Sequence, residues 1–437
     1  MDPEPAFPFR PLAGVPSPPP LPLDLSAPPP LPPASEPEAH PIPPTAPPMA
    51  MPDHGFEKPR LISIPPDHSI WTHSECDLRA LASQVRADAS DEDKSVAGRI
   101  ATVVKQLSQR RREPDVTGLI GDPSRRSLAA ECNRTQAEIQ FTLAEEREID
   151  GDLWFIGDAH GDLLAFRALL AYGETVSRCA GRRANFFFLG DLIDDGPFGH
   201  LVLLEFFERL LRANGRIGFV VGNHDIGLRC DGEGHSFGSS VTPCDFADWL
   251  NKLASGSHWH PLATEAIQFF KRAPRAVLLP DGTLVSHGGV PHKDLQARMK
   301  FPADLLDAKC LHDFTWTRAH ETAPRKVPNR SSSGCEFGVE DFQDFCRALE
   351  GWIGRPVRGL VRGHDHVPNR WAFPDRYHPT WLLTINAMCT RQRDPFGPYE
   401  RQPVLARHIP GHVPELHQIE IPADVIRNVY PPPGDNT

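Results

Sequence analysis

The chain has 437 residues, a formal net charge of -11 and a pI near 6.0, with 40% hydrophobic and 24% charged residues. Those values permit a sizeable core and exclude a surface that attracts nucleic acid or anionic lipid as a whole, so any phosphate-binding patch must be local. Nine cysteines, an odd number without a C-x-x-C pair, fit reduced thiols in the cytoplasm rather than a disulfide framework.

The opening residues MDPEPAFPFRPLAGVP lack a basic segment and a continuous apolar stretch, so no secretory signal is expected. No run approaches the ~18 uninterrupted apolar residues that would span a bilayer. About half of the 48 prolines fall in residues 1–66, where fixed φ and missing amide donors predict a disordered or polyproline II tail. Its P-x-x-P spacings offer a docking motif for an SH3-like partner, although such spacings arise freely in proline-rich sequence.

Residues 67–149 are expected to form a helical extension. Leu78, Leu81 and Val85, then Val96, Ile100, Val103, Val104 and Leu107, recur at helical spacing among charges. The second of these helices ends in QRRRE, a basic turn that complements the helix dipole.

From residue 150 to 425 short apolar runs alternate with helical segments: LWFIGD, ANFFFLGD, RIGFVVGN, AVLLPDGTLVSH, PVRGLVRGH and TWLLTINA are the runs. Continuous apolar strands followed by helices predict a layered α/β architecture with strands covered on both faces. Several runs end directly in Asp, Asn or His, and open sheets place ligand sites beyond the carboxyl ends of their strands. Residues 426–437 read as a loose C-terminal tail.

The polar motifs at those strand ends are GDAHG from Gly157, GDLIDDG from Gly190, GNHD from Gly222, SHGGV from Ser286 and GHDH from Gly363. Each alone is an ordinary turn. Together, in order, they supply carboxylate, amide oxygen and imidazole, the ligands a hard or borderline divalent cation takes, and no thiolate of a structural zinc site.

This set resembles the calcineurin-like metallophosphoesterases, and within them the phosphoprotein phosphatase branch, over roughly residues 150 to 425. The resemblance implies a sandwich of two mixed β-sheets flanked by helices. It implies two divalent cations, Mn²⁺ in first place with Fe or Zn as alternatives, held by Asp158 and His160 at one position and by Asn223, His287 and His364 at the other, with Asp191 bridging them. The substrate is then a phosphorylated protein or small molecule, attacked by hydroxide formed between the cations. His224 takes the part of general acid and Asp194 that of its supporting carboxylate. Arg330, in NRSSSG, resembles the phosphate-gripping arginine, and Arg318, in WTRAH, is a rival for that role.

Two positions depart from the branch. Asp195 stands where an arginine is expected, and its charge opposes a phosphomonoester dianion. His366 matches the GH-x-H ending of the wider superfamily and is an additional candidate ligand of the first cation. A phosphodiesterase or dinucleoside polyphosphate hydrolase is therefore the alternative enzyme, and a non-catalytic scaffold with a partner-binding tail is the alternative of another class.

Overall fold

The computed structural model describes residues 57–73, 76–110, 141–144, 151–212, 217–231, 236–253, 260–292, 299, 302–329, 334–388 and 402–431. The chain divides after Ala50, and the described residues all belong to the second unit. The stretch before residue 57, including its proline runs, Arg330, Cys132 and Cys389 lie outside them.

In chain order the strands are β1 (Leu61–Ile64), β2 (Phe141–Leu143), β3 (Asp152–Ile156), β4 (Ala184–Phe188), β5 (Ile217–Phe219), β6 (Leu228–Cys230), β7 (Phe237–Ser239), β8 (Ala276–Leu278) and β9 (Thr283–Ser286). They continue with β10 (Arg318–Ala319), β11 (Val327–Pro328), β12 (Cys335–Phe337), β13 (Gly359–Arg362), β14 (Trp371–Ala372), β15 (Trp381–Ile385), β16 (Val404–Arg407) and β17 (Glu415–Ile419). One six-stranded sheet has the order β1-β17-β16-β3-β4-β5 and a second has β14-β15-β13-β9-β8-β2. Both are mixed: β3, β4 and β5 run parallel while β16 is antiparallel to β3, and β9, β13 and β15 run parallel while β8 is antiparallel to β9.

Alternation along the strands explains the layering, because successive side chains point to opposite faces. On β3, Leu153 and Phe155 join Phe187, Val285, Val361 and Leu383 in a core between the sheets. Trp154 and Ile156 face outward into a second core beneath the helices Leu163–Cys179 and Gly199–Arg212. A third core, with Phe314, Phe342 and Phe345, lies under the helices Ala308–Trp316 and Val339–Ile353 on the other side. The architecture is the expected sandwich of two mixed sheets flanked by helices.

At both ends the folded unit extends into residues read as tail. LISI, with Pro59 before it and Pro65 after it, forms β1 and pairs in parallel with β17, Leu61 opposite Leu416. Prolines beside an edge strand cost no ladder bonds, which is why a proline-rich segment can end in one. The helix Ala423–Val429 likewise continues past residue 425 and buries Val425, Ile426 and Val429. Between these ends, the helices Leu78–Ala89 and Asp93–Arg110 bury the predicted apolar stripes in the outer core. Among the described residues no helix is long and apolar enough to cross a membrane, and the seven described cysteines form no disulfide.

Candidate metal centre

The candidate ligands arrive from the carboxyl ends of parallel strands in both sheets. Asp158 and His160 follow β3, Asp191 follows β4 and Asn223 follows β5, while His287 follows β9 and His364 and His366 follow β13. An isolated bridge pairs Asp158 with Asn386 beyond β15, so the two sheets meet at this point. The side chains converge into three overlapping groups: Asp158, His160 and His366; His160, Asp191 and His224; Asp191, His287 and His364. Every candidate ligand is buried except His366, whose side chain is 22% exposed.

Hydrogen bonds fix which ring nitrogens are available. His287 donates its Nδ1–H to the Leu189 carbonyl at 2.8 Å. Its Nε2 therefore faces Asp191 Oδ2 at 3.1 Å and Asn223 Oδ1 at 2.9 Å with only a lone pair if the ring is neutral. Three acceptors in contact require a positive charge among them. Burial works against a charged ring, but Asp191, Asp158 and the Leu189 carbonyl together raise its pKa above the usual value. A divalent cation would meet the same need for positive charge. His364 donates Nε2–H to the Trp316 carbonyl at 3.2 Å, which leaves Nδ1 as the coordinating atom. Burial, reinforced by Arg318 and His287, holds its pKa well below the usual value and keeps the ring neutral.

At the other position His160 donates Nδ1–H to Ile193 O at 3.2 Å and turns Nε2 toward His366 Nε2 at 3.0 Å. Burial, with His160 and Arg370, depresses the pKa of His366 as well, which suits a neutral imidazole ligand. Asp158 Oδ2 lies 3.7 Å from His366 Nε2 and accepts the His364 N–H at 2.9 Å. Burial raises its pKa against the pull of His287. The opposite holds for Asp191, where His287 and His224 outweigh burial and keep the carboxylate ionised, as a bridge between two cations requires. The donor set fits a pair of divalent cations.

Local backbone is bent to deliver these groups. Among the described residues six non-glycine residues adopt left-handed φ, and His160, Asp191, Asp194, Asp195 and His364 are five of them. Each such residue costs of order 1–2 kcal/mol, and strain of this kind collects where structure over-determines a site. Two motif glycines are required by contact instead. A Cβ on Gly222 would stand 2.0 Å from Asp191 Oδ1, and one on Gly363 would stand 1.9 Å from Asp158 Oδ1.

His224, beside Asn223, donates its Nδ1–H to Asp194 Oδ2 at 3.0 Å, and its backbone N–H donates to Asp191 Oδ1 at 2.9 Å. Burial alone would discharge the ring. Asp191 and Asp194 together push its pKa up to about 9, so it carries a proton at neutral pH. Asp194 is itself fixed by the Phe246 N–H at 2.9 Å.

Arg318 donates Nη1–H to the His364 carbonyl at 2.9 Å and to Asp365 Oδ1 at 2.7 Å. Asp365 also accepts from the buried Arg362, and the two guanidiniums overcome burial to lower its pKa. Asp195 is half-buried and belongs to none of the three ligand groups. One participant escapes motif reading. The buried Asp225 carboxylate accepts N–H bonds from Asp191 at 2.8 Å, Leu192 at 3.0 Å and Gly222 at 3.0 Å, tying the second and third motif loops together. Its place as the last residue of GNHD was the available signal.

The sequence profile of the calcineurin-like phosphoesterase family matches residues 152–368. The serine/threonine-protein phosphatase C23G10.1 of Caenorhabditis elegans is 24% identical over 238 residues, covering 53% of this chain and 47% of that protein. The chain thus spans about half the length of that curated relative. Among solved structures, a protein serine/threonine phosphatase from Saccharomyces cerevisiae with similarity to human phosphatase PP5 aligns with 76% of this chain and 92% of its own at 18% identity and a TM-score of 0.48. A cold-active protein-tyrosine phosphatase of a psychrophilic Shewanella species aligns with 63% and 82% at 14% identity and a TM-score of 0.37. By the ordered motifs and the profile match, the chain belongs to the calcineurin-like phosphoesterase family.

Proposed function

We propose that the protein is a binuclear metal-dependent phosphatase that hydrolyses phosphomonoesters, phosphoserine or phosphothreonine in protein among them. The observation that carries this reading is the meeting of Asp191, Asn223 and His287 acceptors in one buried cluster beside His224, whose ring is held by Asp194. Asp158, His160, His366 and Asp191 hold one cation, and Asp191, Asn223, His287 and His364 the other. Bound there, two divalent cations, Mn²⁺ being the first choice, supply Lewis acidity and ionise the attacking water near neutral pH. His224 holds the proton that the leaving alkoxide needs, and Asp194 keeps its ring turned to deliver it. Arg318 steadies His364 through its carbonyl and, with Arg330, is a candidate for gripping phosphate oxygens.

The test is metal content together with p-nitrophenyl phosphate turnover after Mn²⁺ reconstitution. Asp191→Asn should lose both, because a neutral amide cannot offset two cations. Full metal content with normal turnover in that variant would remove the two-metal reading, and wild-type protein that binds metal without turnover would favour a scaffold. A second reading, a phosphodiesterase or dinucleoside polyphosphate hydrolase, is favoured by Asp195, whose charge tells against dianionic monoesters.

A further inference from the structure

The C-terminal residues lie well outside the 152–368 match, yet one of them touches both loops that carry the first candidate ligands. Tyr430, directly after the helix Ala423–Val429, donates its O–H to Asp162 Oδ1 at 2.7 Å and accepts the Leu164 N–H at 3.1 Å. Its ring lies against Phe198, with centroids 5.6 Å apart and planes at 35°. Asp162 is the second residue after His160 and caps the helix Leu163–Cys179 by accepting the Ala165 N–H at 3.0 Å. Phe198 closes the loop that contains Asp194 and donates its N–H to Gly161 O at 3.2 Å.

A single phenol therefore sits between the His160 loop and the Asp191–Asp194 loop. Both loops hold left-handed residues, His160 at φ 43° and Asp194 at φ 64°, and such backbone persists only where its surroundings hold it. The far side of the clamp is firm. Val425, Ile426 and Val429 are buried in the outer core, and their helix packs on Leu78–Ala89. Phenylalanine at 430 would keep the ring contact but could neither donate to Asp162 nor accept from Leu164.

We propose that Tyr430 is a positioning residue that keeps the His160 and Asp194 loops in register, so that segments outside the family match set the metal affinity of the site. The proposal rests on the two-metal reading above. Its test uses the full chain stripped of metal, with Mn²⁺ binding followed by calorimetry and unfolding followed by heating. Tyr430→Phe should weaken Mn²⁺ binding roughly tenfold, in the range seen when a partner supporting metal ligands is removed. Its metal-free melting temperature should stay within a few degrees of wild type, and kcat for p-nitrophenyl phosphate should recover at saturating Mn²⁺. Leu349→Ala, which removes a buried side chain from the core under Val339–Ile353 and leaves the clamp intact, is the control for a general loss of stability. The proposal is overturned if Tyr430→Phe binds Mn²⁺ as wild type does, or if Leu349→Ala weakens binding as much. A wild-type chain that takes up no Mn²⁺ would overturn the metal reading itself, and this proposal with it.

Discussion

His224 and Asp195 are the residues whose replacement separates mechanism from packing. If His224 delivers the proton, His224→Ala should retain both metals and lower kcat by roughly 10²–10⁴-fold for poor leaving groups, with a smaller deficit for p-nitrophenol. Stopped assays on an alkyl phosphate and on p-nitrophenyl phosphate check this, and equal losses would assign His224 another role. Asp195→Arg should raise kcat/KM for a monoester by up to about tenfold per 1.4 kcal/mol gained while diester turnover changes less. An unchanged monoester to diester ratio would make Asp195 an ordinary turn residue. The candidate ligand positions could be read because each lies one to four residues beyond a strand that an apolar run forms. Asp225 was not, since its partners Asp191 and Leu192 are distant in sequence and the contact is to their backbone. Arg318 has a partner that the motif concealed: Asp365 reads in GHDH only as a spacer between two histidines.

At the scale of elements, continuous apolar runs followed by helices predicted the layers, but propensity concealed the two ends of the domain. Proline content hid β1, whose four residues gain their stability from β17 rather than from their own sequence. The C-terminal helix was hidden by its brevity and by the prolines that follow it. These ends predict different outcomes for two truncations. Removing residues 1–50 should leave the melting temperature and kcat unchanged, because so proline-rich a segment contributes little to a packed core. Removing residues 1–66 should lower the melting temperature by several degrees, since it takes away β1, the buried Ile64 and the Arg60 carbonyl that accepts the Leu416 N–H at 2.8 Å. Equal melting temperatures for the two truncations would show that β1 contributes nothing to stability.

Across the whole molecule the candidate ligands divide between the sheets, with Asp158, His160, Asp191 and Asn223 on one and His287, His364 and His366 on the other. Cations bound by all of them would join the two halves and be linked to folding. Free Mn²⁺ at about 100 times its dissociation constant should then add roughly 2.7 kcal/mol per site, visible as a melting temperature that climbs with log concentration and falls back with EDTA. A melting temperature indifferent to Mn²⁺ would mean that the metal does not select the folded state.

The left-handed residues around the site have a kinetic consequence. If His160, Asp191 and His364 hold their bent backbone before a metal arrives, the cost of arranging them falls on folding and not on metal capture. Loading would then need no chain rearrangement, and shedding of water by the incoming ion would set its pace. Capture of one ion rather than another would then follow the lability of each ion's own hydration shell, so that the supply of labile ions, rather than the protein's motions, decides which ion occupies the site first.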